Sequence, residues 1–133
     1  LSKLTVAQKI RVALLGSGTD RHFLARDTNR LVHMSAASSP KNTEREALAW
    51  SGNRAMPDGV VNYIYNRKDW MRLYQIKVNL VNNPKLQVGR AMKLLNFLHP
   101  SDLKSLTRNR NIAHVVQRRA KELSKKRARG GSK

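Results

Sequence analysis

Between Trp70 and Leu98 the chain reads WMRLYQIKVNLVNNPKLQVGRAMKLLNFL, two apolar segments separated by Asn-Asn-Pro. Leu73, Ile76 and Leu80 fall at i, i+3 and i+7, with Val78 and Val81 beside them, the spacing of a mostly buried helix rather than a strand. Pro84 disfavours helical dihedrals at Asn83, and asparagine tolerates a left-handed residue after a helix, so the first segment is expected to stop there. Val88, Ala91, Met92, Leu94, Leu95 and Leu98 then repeat the spacing of three and four. Two such stripes bury each other, so the stretch predicts a helix–turn–helix hairpin with its first helix opening near Asp69.

The hairpin recurs. At a shift of 44, Val32, Met34, Ala36 and Ala37 lie over Ile76, Val78, Leu80 and Val81, and Ser38-Ser39-Pro40-Lys41 lies over Asn82-Asn83-Pro84-Lys85. Further on the match moves to 56, with Met56, Val60 and Ile64 over Ile112, Val116 and Ala120, which implies an insertion around Asn96 to Lys104. Periods of this size mark stacked helical units.

The remaining segments read as helices too. Thr5-Val-Ala-Gln8 and Thr43-Glu-Arg-Glu46 are capping boxes. The first opens a helix burying Val6, Ile10, Ala13 and Leu14 up to Gly16. The second opens one carrying Ala47, Leu48 and Trp50 to Gly52. A short helix from Thr19 or Asp20 is expected to turn Phe23 and Leu24 inward, and Asp27 to cap the helix that ends before Pro40. Pro57 suits the first turn of a helix holding Val60, Val61 and Ile64. Ser101 is expected to cap a helix with Leu103 and Leu106. A last helix from about Ile112 places Val115, Val116, Ala120 and Leu123 on one face. No apolar anchor follows Leu123, so residues 124–133, SKKRARGGSK, read as an extended or frayed basic tail after a helical domain over residues 1–123.

About nine helices and no strand make an all-α chain. The turns Ser38-Ser39-Pro40 and Asn82-Asn83-Pro84, with their flanking apolar positions, resemble those of HEAT-like repeats and the related leucine-rich-repeat-variant proteins, over about Asp27 to Leu123. The resemblance implies a short right-handed superhelix of helix pairs. Some proteins of that class, DNA glycosylases among them, grip duplex DNA by its backbone along a basic concave face. No catalytic Asp of those enzymes aligns here, so the resemblance extends to the scaffold and not to the chemistry.

Charge narrows the partners. The 27 Lys and Arg against 8 acids give +19, which speaks to partners rather than fold. Residues 104–133 hold 11 basic residues and one acid, Glu122. A solvated surface ordinarily mixes signs, whereas Arg108, Arg110, Arg118, Arg119, Lys121, Lys125, Lys126, Arg127 and Arg129 are barely offset. Repulsion of this kind is relieved by a polyanion, whose released counterions make binding favourable and salt-dependent. In the body, Arg67, Lys68, Arg72, Lys77 and Lys85 flank the hairpin, and Lys41 follows its proline as Lys85 follows Pro84. These fifteen residues are the candidate nucleic-acid contacts. With only seven aromatics, mostly on expected buried stripes, a stacking platform for single strands is not expected. Backbone and shape recognition of DNA or structured RNA is.

Catalysis has little to build on. His22, His33, His99 and His114 are scattered, Glu44 and Glu46 lie two apart and face different ways, and no nucleophile, phosphate-loop or zinc signature occurs. A non-enzyme with no metal, cofactor or small-molecule substrate is therefore expected. The rival partner is an acidic protein, since helical repeats commonly bind proteins. No apolar run is long enough to span a membrane. The opening LSKLTVAQKI is too polar for a signal peptide and lacks an initiating Met, so a processed or excised piece of a longer chain is expected. Zero cysteines fit a reducing cytoplasm.

Overall fold

The computed structural model describes residues 3–130, and these form ten α-helices with no strand among them. In chain order they are α1 (Val6–Leu15), α2 (Gly18–Ala25), α3 (Arg30–Ala37), α4 (Glu44–Ser51), α5 (Asp58–Tyr65), α6 (Lys68–Met71), α7 (Tyr74–Val81), α8 (Val88–Leu94), α9 (Pro100–Leu106) and α10 (His114–Gly130). A 3-10 turn, Leu95–Phe97, follows α8 directly. The main contacts run stepwise along the chain: α1 and α2 on α3, α3 on α5, α4 on α5 and α7, α7 on α8, and α8 and α9 on α10. One continuous apolar core threads these pairs, with Trp50, Met56, Ile64, Trp70, Ile76, Leu80, Leu95, Leu103 and Leu106 as its largest fully buried side chains.

The hairpin forms as α7 and α8, but its turn is built differently from the expectation. Asn82 is right-handed (φ −86°, ψ −4°), and no described residue has a positive φ. The buried Asn83 side chain makes the turn instead. Its Oδ1 accepts from Lys85 N at 3.0 Å, and its Nδ2 donates to Ser51 O at 3.0 Å. The same closure recurs where Asn53 Oδ1 accepts from Ala55 N and Asn109 Oδ1 from Asn111 N, and Ser39 Oγ accepts more weakly from Lys41 N at 3.4 Å. Side-chain oxygens that accept from a backbone N–H two residues on stand in for a turn hydrogen bond. An apolar residue three positions after each Asn (Met56, Leu86 and Ile112) then plugs into the core or its edge. These shared turns explain both sequence shifts. The added segment near Asn96 to Lys104 is the 3-10 turn together with α9.

Several helix starts differ from the sequence expectation, each for a visible reason. Ser17 rather than Thr19 caps α2, in a box with Asp20. Phe23 points out, 65% exposed, while Leu24 is buried. Asn29 caps α3, because Asp27 is taken by Lys9 at 2.9 Å and by the Asn29 N–H. Burial raises the Asp27 carboxyl, but the Lys9 hydrogen bond, the Asn29 N–H and the Lys9 and His33 charges together hold it below its ordinary value. Pro57 sits at the N-cap of α5, one residue before its first turn. His99 caps α9 with Pro100 at the first helical position, not Ser101. Its N–H is met by Tyr74 Oη at 2.8 Å, and that hydroxyl in turn donates to Asp102. Burial first, then the Asp102 carboxylate, pushes the Tyr74 phenol above its ordinary range.

The expected long central helix is broken into α6 and α7 at Arg72-Leu73, where Leu73 is extended (φ −77°, ψ 116°). Six residues along a continuous helix would put Trp70 roughly 120° away from Ile76. The break lets both reach the core. Val6, Val88 and Val115, expected on buried stripes, are more than two-fifths exposed. Residues 124–130, expected as a frayed tail, continue α10; the last three residues of that expected tail lie outside the described residues.

Gly89, in the first turn of α8, has open space where a Cβ would stand. Gly89→Ala is accordingly expected to stabilise the fold by about 0.5–1 kcal/mol, chiefly by restricting the unfolded chain, seen as a higher urea midpoint with an unchanged m-value.

Candidate nucleic-acid interface

α10 is the longest helix, and its basic surface is ordered by what lies beneath it. Val116, Ala120 and Leu123 are buried at i, i+4 and i+7. Arg127, four residues further, continues the same stripe as a polar anchor. Its guanidinium donates to Leu98 O, to Asn96 O at 3.1 Å and to Leu95 O at 3.5 Å. Carbonyls at the end of a helix run short of backbone donors; Leu95 O accepts the Leu98 N–H at 3.3 Å, and five fixed N–H groups suit arginine to add to that bond and to collect the neighbouring acceptors. This anchor lets the helix persist past Leu123, the last buried apolar residue described.

With that stripe turned inward, Arg118, Lys121, Lys125 and Arg129 fall on the opposite face at spacings of three and four. All four are exposed and make no hydrogen bond or ion pair among the described residues. From Arg118 to Arg129 the ridge is roughly 16 Å long at 1.5 Å per residue. Lys126 is likewise exposed and unpaired on one flank, whereas Arg119 is offset by Glu122 at 3.2 Å. Before the helix, Arg108 and Arg110 are exposed on either side of Asn109, whose Nδ2 is pinned to Asn82 Oδ1 at 2.8 Å. Gln117 Nε2 holds the same turn through Thr107 O at 2.8 Å.

The body cations divide otherwise. Lys41 Nζ donates to Leu15 O at 2.9 Å, and Lys85 Nζ to Met56 O at 3.1 Å, lying 3.8 Å from Asp58. Each ammonium thus serves a backbone carbonyl of a preceding segment. Arg67 makes a two-bond pair with Asp69, at 2.9 and 2.7 Å, and lies 3.8 Å over the Trp70 ring. The pair raises the Arg67 guanidinium further and holds Asp69 below the usual carboxylate range. Lys68, Arg72 and Lys77 instead gather around one open cleft of about 350 Å³. Lys68 has no ion pair among the described residues, Arg72 is 3.9 Å from an exposed Glu44, and Lys77 Nζ stands 4.7 Å over the Phe97 ring.

Two residues of note have no local signature. Arg21, 6% exposed, binds both oxygens of Glu46 at 2.7 and 2.8 Å, Asn42 Oδ1 at 2.9 Å and Gly16 O at 2.8 Å. Its partners lie up to 25 residues away. Phe97 is 59% exposed although it sits in an apolar run. Among the described residues no three His, Asp or Glu side chains gather as metal ligands would, and no helix is long and apolar enough to cross a membrane. Comparison of the chain with family models, curated proteins and solved structures finds no match.

Proposed function

We propose that this chain is a non-catalytic nucleic-acid-binding domain that reads the backbone and shape of DNA or structured RNA, working in the cytoplasm on a short HEAT-like superhelix. The observation that carries the proposal is the α10 ridge, where Arg118, Lys121, Lys125 and Arg129 share one face and pair with no carboxylate among the described residues, the helix's one acid, Glu122, being bound to Arg119. A surface that served solubility alone would gain nothing from fixing four like charges on one rigid face; fixing them costs repulsion that a phosphate backbone relieves. Arg108 and Arg110 extend the cationic surface ahead of the helix.

The test is a titration of the chain against duplex DNA, structured RNA and an acidic protein at about 50 and 200 mM salt. Contact with six or so phosphates would weaken nucleic-acid binding by ~10³ or more across that range. No nucleic-acid binding at the lower salt would sink the proposal. A saturable one-to-one complex with the acidic protein that persists at the higher salt would assign the chain to the protein-scaffold class.

A further inference from the structure

The cleft beside Phe97 combines features that a purely phosphate-reading surface does not need. Tyr65, Met71, Leu94 and Phe97 line it together with Lys68, Arg72 and Lys77. Phe97 lies in the 3-10 turn whose Leu95 and Asn96 carbonyls Arg127 clasps, so the cleft lies beside the segment on which the inward face of α10 packs. An exposed aromatic ring next to three cations offers a π-face and phosphate partners together.

We propose that this cleft receives one unpaired nucleobase, stacked on Phe97, while Lys68, Arg72 and Lys77 hold the adjoining phosphates. The inference rests on the nucleic-acid reading and sharpens it: the preferred ligand is a duplex or folded RNA carrying a bulged or single-stranded base. Lys77 now covers the Phe97 ring. A stacked base outweighs an exposed cation–π contact, so the base takes the ring and the ammonium turns to a phosphate. Every base has a π-face, so the site favours an unpaired position without favouring a sequence.

The probe is a short duplex with a single bulged 2-aminopurine, compared with the fully paired duplex, against the complete chain. Stacking is expected to quench the 2-aminopurine fluorescence on binding, and the bulged duplex is expected to bind about ten-fold tighter than the paired one. Phe97→Leu, at a side chain more than half exposed, is expected to abolish the quench and that preference while paired-duplex affinity stays within about two-fold. Paired-duplex binding with no quench and no preference for the bulge would overturn the inference and leave the proposed function standing. Failure to bind either duplex or a structured RNA would remove both. An acidic peptide whose binding is lost in Phe97→Leu, with no quench by the chain, would give the cleft to a protein partner and overturn it as well.

Discussion

Arg21→Met is expected to lower stability by about 3 kcal/mol or more, the cost of removing one member of a buried, hydrogen-bonded ion pair. In a domain of this size that corresponds to a fall in Tm of roughly 10 °C. The reason lies in what the guanidinium joins. It binds Gly16 O after α1, emerges from α2, and holds Glu46 in the first turn of α4. Through Asn42, whose Nδ2 donates to Ala36 O and Ala37 O, it also supports the end of α3. Methionine fills much of the volume but removes the cation from Glu46, which keeps only its Thr43 donors, and takes the Arg21 donor from Asn42 and the Gly16 carbonyl; a buried charge that loses its counter-ion costs more than the pair contributed. Adding Glu46→Gln should return part of the loss, because glutamine can still close the capping box with Thr43 while carrying no charge. A double-mutant cycle by urea denaturation measures this. A single Arg21→Met variant within 0.5 kcal/mol of wild type, to about the precision of such measurements, would show that the cluster does not organise these helix ends.

Arg21 also marks the boundary of what the sequence can disclose. The helices with local start signals were legible: Thr5 with Gln8, and Thr43 with Glu46, satisfy their own boxes within four residues. The Ser17 box obeyed the same rule, Ser-x-x-Asp, and was hidden only because Asp20 itself looks like a cap. The α9 cap was not legible, because His99 is served by Tyr74, 25 residues earlier. The break at Leu73 answers to the simultaneous burial of Trp70 and Ile76, a three-dimensional requirement with no Pro or Gly to announce it. The repeated turn was partly legible. Its proline marks two copies, whereas its working part is the Asn or Ser side chain that precedes it, present also at Asn53 and Asn109 without a proline. In the candidate interface, sequence position identified the cations but not their occupations. Lys41, Lys85 and Arg67 carry the same charge as Lys125 and spend it on backbone carbonyls or a neighbouring carboxylate.

That division of labour yields the larger functional effect. Replacing Arg118, Lys121, Lys125 and Arg129 together by alanine is expected to weaken duplex binding by roughly 10²–10³-fold near 0.1 M salt, and to reduce the slope of log K against log salt by about 3–4, near 0.9 for each phosphate no longer neutralised. Stability should change little, since all four are exposed and alanine is a strong helix former. Lys85→Met is the informative control. It removes a charge from the same protein but from an ammonium already bound to Met56 O, so it is expected to cost stability at the α7–α8 turn while leaving the salt slope nearly unchanged. If net charge alone drove binding, one charge would count the same wherever it sat, and Lys85→Met would remove about a quarter of the four-residue effect. Equal per-charge losses would therefore reduce the ridge to a contribution to overall charge. A steep loss confined to α10 would identify its rigid face as the contact surface, with Val116, Ala120, Leu123 and Arg127 as the residues that make it rigid.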